Sequence, residues 1–173
     1  MDLRDLYDEN RQPLGRVIGY NEKPGPGEYF MVVHVCLFNS KGQMLIQERQ
    51  CSKTGWPCLW DVSVGGRANA GETSRQTAER ETREELGLAL DLSDIRPSLT
   101  VNFARGFDDY YIVEMDLDIA SLVLQEEEVR SVQWANQSAI KALLDAKRFI
   151  PYHRHFIPLL FEMRGQAGAI RTE

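Results

Sequence analysis

The sequence predicts an α/β fold in which a central mixed sheet lies between helices, preceded by an N-terminal β-hairpin. Two observations support this prediction. Short segments rich in valine and aromatic residues recur along the chain, as is typical of strands. They are interrupted by one helical segment near the middle and followed by two more towards the C-terminus. The length of 173 residues suits one domain over residues 1–173.

The predicted strands begin with the hairpin, residues 1–22, in which 3–7 pairs with a second strand through Ile18. We expect it to pack on the body of the protein or on a second subunit. The apolar run at 29–38 is typical of a buried strand. A turn rich in Gly and Asp, 105–109, would join two more strands. The remaining predicted strands are 43–47, 61–64, 95–104, 110–115 and 131–135.

Three helices are predicted. The first begins after Thr73, and the second runs from Asn136 or Ser138 to position 147. The third spans 149–163, where Pro158 favours a break or kink. The tail, 165–173, has little to bury, and we expect it to be mobile.

Composition excludes several classes of function. The formal net charge of −6 argues against binding to nucleic acid, because phosphate backbones select lysine and arginine. No apolar run approaches the ~20 residues that a membrane span needs, so we expect a cytoplasmic protein without membrane contact. Three cysteines without C-x-x-C spacing indicate reduced thiols, and three histidines are interpreted as structural or surface residues. These residues are Cys36, Cys51, Cys58, His34, His153 and His155.

The segment 65–88 reads as a glycine-rich loop, a helix and a glycine stop. Thr73 is a good N-cap, and Gln76 completes a capping box three residues later. Gly87 fits the left-handed position that ends a helix. The spacing therefore places the start of a helix directly after the loop.

Three glutamates lie close together on this helix. Glu81, Glu84 and Glu85 stand at i, i+3 and i+4, so their carboxylates converge on one stripe. Hard divalent cations would offset their mutual repulsion. A solvated acidic face is the alternative interpretation. Arg80 lies one turn before Glu84 and also within reach of Glu72 at the mouth of the loop. Earlier in the chain, Arg49 and Lys53 lie in a polar loop after the predicted strand 43–47. Basic residues in such a loop are more often solvated than in contact with a phosphate.

This segment resembles the box of the Nudix hydrolase family, which is a Gly, five residues, a Glu, seven residues, then Arg-Glu-apolar-x-Glu-Glu-x-Gly-apolar. The one departure is Thr82 at an apolar position, where its methyl group still packs. So long a pattern is highly specific. The box spans 66–88 and is filled here by Gly66, Glu72, Arg80, Glu81, Glu84, Glu85, Gly87 and Leu88.

The resemblance implies an α/β/α sandwich and a metal site for Mg²⁺ or Mn²⁺. It implies that Glu81, Glu84, Glu85 and the backbone carbonyl of Gly66 are ligands, with Glu84 or Glu81 also serving as the general base. It implies that Glu72 and Arg80 orient the loop. Relatives often add a carboxylate from a later loop, for which Glu126, Glu127 and Glu128 are candidates, with Glu127 or Glu128 preferred.

The implied function is metal-dependent hydrolysis of a pyrophosphate linkage in a nucleoside diphosphate linked to another moiety. The expected partner is this small molecule, and a homodimer stays open. Residues 7–9, 33–35 and 60–63 also resemble the Nudix subgroup related to isopentenyl-diphosphate isomerase. That enzyme needs a cysteine where residues 63–66 read Ser-Val-Gly-Gly. Isomerisation and a non-catalytic nucleotide-binding module are therefore the alternatives.

Overall fold

The computed structural model describes residues 3–166 and 168–170. Residues 1, 2, 167 and 171–173, which belong to the predicted hairpin segment and the predicted mobile tail, lie outside this part. The strands are β1 Leu3–Tyr7, β2 Pro13–Gly19, β3 Phe30–Phe38, β4 Met44–Arg49, β5 Trp60–Asp61, β6 Val64–Arg67, β7 Leu99–Phe103, β8 Gly106–Glu114 and β9 Val129–Ala135. The helices are α1 Ser74–Leu86, α2 Gln137–Asp145 and α3 Phe156–Glu162, with a 3₁₀ turn at Ile119–Ser121.

The main sheet is mixed, as predicted, and β3 lies at its centre. Along its whole length β3 pairs in parallel with β8, and it pairs antiparallel with β6. The order is β5-β4-β3-β8-β7, with β6 also on β3 and β9 also on β4. β3 and β4 pair at Phe38 and Met44, and their backbones diverge from there towards Leu37 and Leu45. Ser63 bridges that gap, because its Oγ accepts from Leu37 N at 2.8 Å and donates to Leu45 O at 2.6 Å.

Helices cover both faces of this sheet. Successive side chains of β3 point to opposite faces, so each face has its own set of core residues. One set of alternate residues packs with α1, and the other packs with α2 and α3. The α1 side contains Val33, Val35, Leu37, Leu45, Val64, Ala78 and Leu86. The opposite side contains Cys36, Phe38, Met44, Ile46, Ile140, Ile157 and Leu160. The predicted α/β/α sandwich is confirmed.

The N-terminal hairpin packs on the body of the protein. Tyr7 forms a bridge with Tyr29 just before β3. At the hairpin turn, Arg11 donates two hydrogen bonds to the carboxylate of Asp109 in β8, from Nη1 at 3.1 Å and from Nη2 at 2.8 Å. At the other end, the Asp5 carboxylate accepts from Gly71 N at 2.7 Å. The hairpin therefore contacts the loop that precedes α1.

Two predicted elements are placed differently. Residues 106–109 belong to β8 rather than to a turn, and the turn is only Ala104-Arg105, because Phe103 pairs directly with Gly106. The third helix begins at Phe156 rather than at Phe149. Pro158 then lies in the first turn of α3, where its missing N–H costs nothing, so it produces no break.

The prediction of three reduced thiols is wrong for two of them, because Cys51 and Cys58 form a disulfide. The loop between β4 and β5 folds back tightly, with Trp56 and Cys58 both at positive φ, and brings the two Cα atoms to 4.5 Å. Cys36 is a free, buried thiol. Among residues 3–166 and 168–170, none of the helices has the length and apolar character needed to cross a bilayer.

Candidate active site

The predicted capping box sets where α1 begins. The Thr73 hydroxyl accepts from Gln76 N at 3.3 Å, and the Gln76 side chain accepts from Thr73 N at 2.9 Å. Gly87 ends the helix with φ of 65°, and its N–H donates to Arg83 O at 3.0 Å. Ala78, Thr82 and Leu86 are buried, as the four-residue spacing predicts. This leaves the glutamates of α1 beside the glycine-rich loop.

A cleft of about 540 Å³ brings the three glutamates of α1 together with the loop. Its lining residues are Tyr20, Asn21, Arg49, Lys53, Thr54, Gly55, Gly65, Gly66, Arg67, Asn69, Arg80, Glu81, Glu84, Glu85, Gln125 and Glu128. A larger cavity of about 830 Å³ between α2 and α3 shares none of these residues. Because the carboxylates and the close-approaching glycines lie in the smaller cleft, we regard it as the candidate site.

Arg80 of α1 holds the glycine-rich loop in place through hydrogen bonds. Its Nε and Nη2 donate to the two carboxylate oxygens of Glu72 at 2.6 and 2.9 Å, and Nη2 also donates to Arg67 O at 3.1 Å. Burial disfavours the Glu72 anion, but hydrogen bonds from Arg80, Asn69 N and Thr77 outweigh it and lower the pKa of Glu72. The predicted reach of Arg80 to Glu72 is present.

The same arginine also holds two carboxylates of the cleft. Arg80 Nη1 lies 2.9 Å from Glu81 Oε1 and 2.8 Å from Glu84 Oε2. Burial raises the pKa of Glu81, although the charge of Arg80 opposes this. The Glu84 side chain keeps 48% of its exposure. Glu84 is therefore the carboxylate of the three that solvent reaches most easily.

Glu85 is the buried member of the set, with 4% of its surface exposed. Gln47 Nε2 donates to its Oε2 at 3.0 Å, and the N–H of Gly65 also donates to it. Burial and the nearby charge of Glu81 outweigh these bonds and raise the pKa of Glu85 to about 8. A cation beside this carboxylate would favour its charged form.

Gly66 lets the loop approach the helix closely. A Cβ at Gly66 would lie 2.0 Å from Glu81 Cδ, so any other residue would displace that carboxylate. Within the described residues, no three His, Cys, Asp or Glu side chains already stand in a metal-binding arrangement. Instead, Glu81 and Glu84 both form ion pairs with the Arg80 guanidinium. The carboxylate oxygens and the close backbone nevertheless suit a hard divalent cation.

Two basic residues line the cleft instead of facing solvent: Arg49, the last residue of β4, and Lys53 in the loop between β4 and β5. Lys53 forms an ion pair with Glu128, and Arg49 Nη1 lies 3.8 Å from Asp61 Oδ2. Their side chains are 25% and 16% exposed, so solvation is the wrong interpretation for both. Of the later glutamates, Glu128 lines the cleft, whereas Glu126 and Glu127 are exposed outside it.

The sequence does not predict every residue around the site. Gln47, which donates a hydrogen bond to Glu85, is distinguished in the sequence only as a polar residue in an apolar strand. His34 is structural, as predicted, but it lies directly behind Gly65, where a Cβ would come within 2.8 Å of its ring. Its Nδ1 is 2.7 Å from Asp108 Oδ1, and its ring stacks on Tyr110. Burial lowers the pKa of His34, but Asp108 outweighs burial and raises it. His153 and His155 are exposed.

Comparison with known proteins gives one family throughout. The model of the NUDIX domain matches residues 28–160. An uncharacterized Nudix hydrolase of Listeria innocua is 47% identical over 164 residues, covering 95% of this chain and 96% of that protein. An isopentenyl-diphosphate Delta-isomerase of Klebsiella pneumoniae is 30% identical over 148 residues, covering 82% of this chain and 79% of the isomerase.

Solved structures share the fold. DR0079 from Deinococcus radiodurans superposes with a TM-score of 0.72 at 24% identity, covering 93% of this chain and 98% of that one. A bifunctional NMN adenylyltransferase/ADP ribose pyrophosphatase of Francisella tularensis, complexed with AMP and a Mn ion, superposes with a TM-score of 0.62 at 21% identity. That match covers 82% of this chain and 42% of the other. At these identities the likeness concerns the fold alone.

Proposed function

The chain belongs to the Nudix hydrolase family, and from that premise we propose that it cleaves the pyrophosphate linkage of a nucleoside diphosphate joined to another moiety. We propose Mg²⁺ or Mn²⁺ as the metal. One observation carries the proposal: the carboxylates of Glu81 and Glu85, largely withdrawn from solvent, lie beside the glycine loop inside one cleft.

The ligands that we propose are Glu81, Glu84, Glu85 and the backbone carbonyl of Gly66. Glu128 is the further carboxylate, because it lines the cleft and Glu127 does not. A bound cation would neutralise phosphate oxygens and acidify the attacking water. Arg80 Nη1 would give up Glu81 and Glu84, while the fork from Nε and Nη2 keeps Glu72 and the loop in place.

Water also needs a base. Glu84 is the stronger candidate, since its half-exposed carboxylate reaches solvent at the edge of the cleft. Glu81 is the second candidate, because its raised pKa brings it nearer to the operating pH. Glu72 is committed to Arg80, so we assign both residues to positioning the loop. The cations Arg49 and Lys53 lie in the same cleft and suit the anionic substrate.

Isomerisation of isopentenyl diphosphate is the second candidate, because named isomerases are 30–34% identical to this chain. The cysteines argue against it. Residues 63–66, Ser-Val-Gly-Gly, stand where the isomerase resemblance requires a cysteine. Cys51 and Cys58 are joined, and Cys36 is fully buried, which raises the pKa of its thiol. The hydrolase is therefore the better supported assignment.

The test of the hydrolase is a panel of diphosphate compounds incubated with Mg²⁺ or Mn²⁺ in ¹⁸O-labelled water, with products identified by mass. Isopentenyl diphosphate is included, and its allylic isomer is sought. We expect Glu84→Gln to lower turnover by roughly 100-fold or more, the usual contribution of a general base.

The matched control is Glu162→Gln, an exposed glutamate of α3 outside the cleft, which we expect to match wild type. Circular dichroism should give the same spectrum and melting temperature for both variants. A folded Glu84→Gln protein with full activity would refute the role of Glu84. An allylic product in place of hydrolysis would favour the isomerase.

A further inference from the structure

Two arginines from different parts of the chain share one aromatic ring at the end of the cleft. The guanidinium carbon of Arg4 lies 4.2 Å from the centroid of Phe30, and that of Arg67 lies 5.6 Å from the same centroid. Arg67 also lies over Tyr20 at 4.6 Å. Arg4 Nη2 also donates to Glu22 O, and Arg67 Nη1 donates to Tyr20 O at 3.4 Å. Ring contacts and backbone carbonyls therefore orient both guanidinium groups without a carboxylate that would neutralise their charge.

Neither arginine forms an ion pair within residues 3–166 and 168–170, whereas the other cations of the cleft do. Arg80 pairs with three glutamates, Lys53 with Glu128, and Arg49 approaches Asp61. Arg4 is only 4% exposed, and its Nε has no hydrogen-bond partner among the described residues. Burial and the charge of Arg67 lower the pKa of Arg4 more than the nearby Glu22 raises it. The two positive charges thus lie close together without an ion pair among the described residues.

Arg67 is the one of the two arginines that lines the cleft. It directly follows Gly66, which touches Glu81, and its carbonyl accepts from Arg80, so it lies beside the carboxylates. Tyr20 and Asn21, which complete this wall, follow β2 of the hairpin. They lie outside residues 28–160, the part that matches the family model. The hairpin therefore adds its own wall to the family cleft.

We propose that Arg67 forms a phosphate-binding subsite, held by Tyr20 and Phe30 and supported electrostatically by Arg4. The subsite takes a phosphate group that the glutamates do not hold. This phosphate belongs either to the intact diphosphate substrate or to the phosphate product, and the oxygen chemistry is the same. The identity of the substrate rests on the proposed function, but binding at Arg67 does not need the metal or turnover.

The test is isothermal titration calorimetry in EDTA at fixed ionic strength, with inorganic pyrophosphate and orthophosphate as probes. We expect wild type to bind pyrophosphate, and Arg67→Met to weaken binding about tenfold, the loss of one charge-assisted contact. Arg67→Lys should recover part of the affinity, since it keeps the charge but loses the fork. Arg96→Met, an exposed arginine outside the cleft, is the control and should bind as wild type does.

If Arg67→Met melts early, Tyr20→Leu and Arg67→Lys carry the test, with a several-fold loss expected for each. A loss confined to pyrophosphate assigns the subsite to the substrate, and an equal loss for orthophosphate assigns it to the product. Absence of wild-type binding, or equal losses in Arg67→Met and Arg96→Met, overturns the subsite. Since this experiment contains no metal, its failure leaves the hydrolase test untouched, and an active Glu84→Gln protein leaves this test untouched.

Discussion

Glu85 provides the most direct test of the site, because its burial disfavours the charged carboxylate that the proposed metal binding requires. Without a cation, its carboxyl has a pKa of about 8, whereas an unfolded glutamate has a pKa near 4.5. Between these values the unfolded chain releases its proton and the folded protein keeps it. The stabilising contribution is therefore complete below pH 4.5 and is lost as the pH rises to about 8.

Replacement of Glu85 by Gln removes this penalty. Each pH unit in the window lowers the unfolding free energy of wild type by about 1.4 kcal/mol. At pH 9 the variant should consequently be more stable than wild type by roughly 3–5 kcal/mol, whereas at pH 5 the two should agree within about 1 kcal/mol. The amide keeps an acceptor for Gln47, which donates to Glu85 at 3.0 Å.

The measurement is urea denaturation of both proteins in EDTA at pH 5, 7 and 9, analysed by linear extrapolation. A second series contains Mg²⁺ in place of EDTA. Wild type should gain stability from the metal by mass action, and Glu85→Gln should gain much less. A difference between the two proteins that stays constant with pH would refute the raised pKa. Equal stabilisation by Mg²⁺ would refute Glu85 as a ligand.

Two further predictions concern the glycine loop and the histidine behind it. Gly66→Ala places a Cβ 2.0 Å from Glu81 Cδ, so we expect a folded protein with about 100-fold lower turnover. The control is Gly25→Ala, an exposed glycine outside the cleft whose Cβ would meet only the Glu28 side chain, and equal activities of the two variants would contradict the close approach. Asp108→Asn removes the charge that raises the pKa of His34, so an NMR titration should give the variant a lower His34 pKa than wild type, and an unchanged titration would show that Asp108 does not control it.

Local signals were sufficient for the centre of the site. The capping box of Thr73 and the stop at Gly87 depend on bonds within a few residues, so their spacing predicted α1 correctly. The same helical period placed Glu81, Glu84 and Glu85 on one side. The mixed sheet and the covering helices also followed, because buried strands and helix signals are read from neighbouring residues.

Local signals failed where a partner lay far along the chain. Gly and Asp at 106–109 indicated a turn, yet pairing with the whole of β3 draws them into β8. The apolar residues from Phe149 indicated a helix, but Phe149 bridges to Trp60 and packs in the core as extended chain. Cys51 and Cys58 were predicted to be separate thiols, because their spacing does not show that the loop between them folds back and brings them together.

The sequence by itself determined that a glycine loop, a capped helix and three clustered carboxylates occur together, because those relations lie within 23 residues, from Gly66 to Leu88. Only the tertiary structure decided which other side chains surround them. Arg67 of β6, Glu128 of a late loop and Tyr20 of the hairpin connection line the cleft. Gln47 of β4 is buried and donates to Glu85. The physical reason is that sheet pairing and burial act between distant segments, and these long-range contacts set the charge balance on which the site depends.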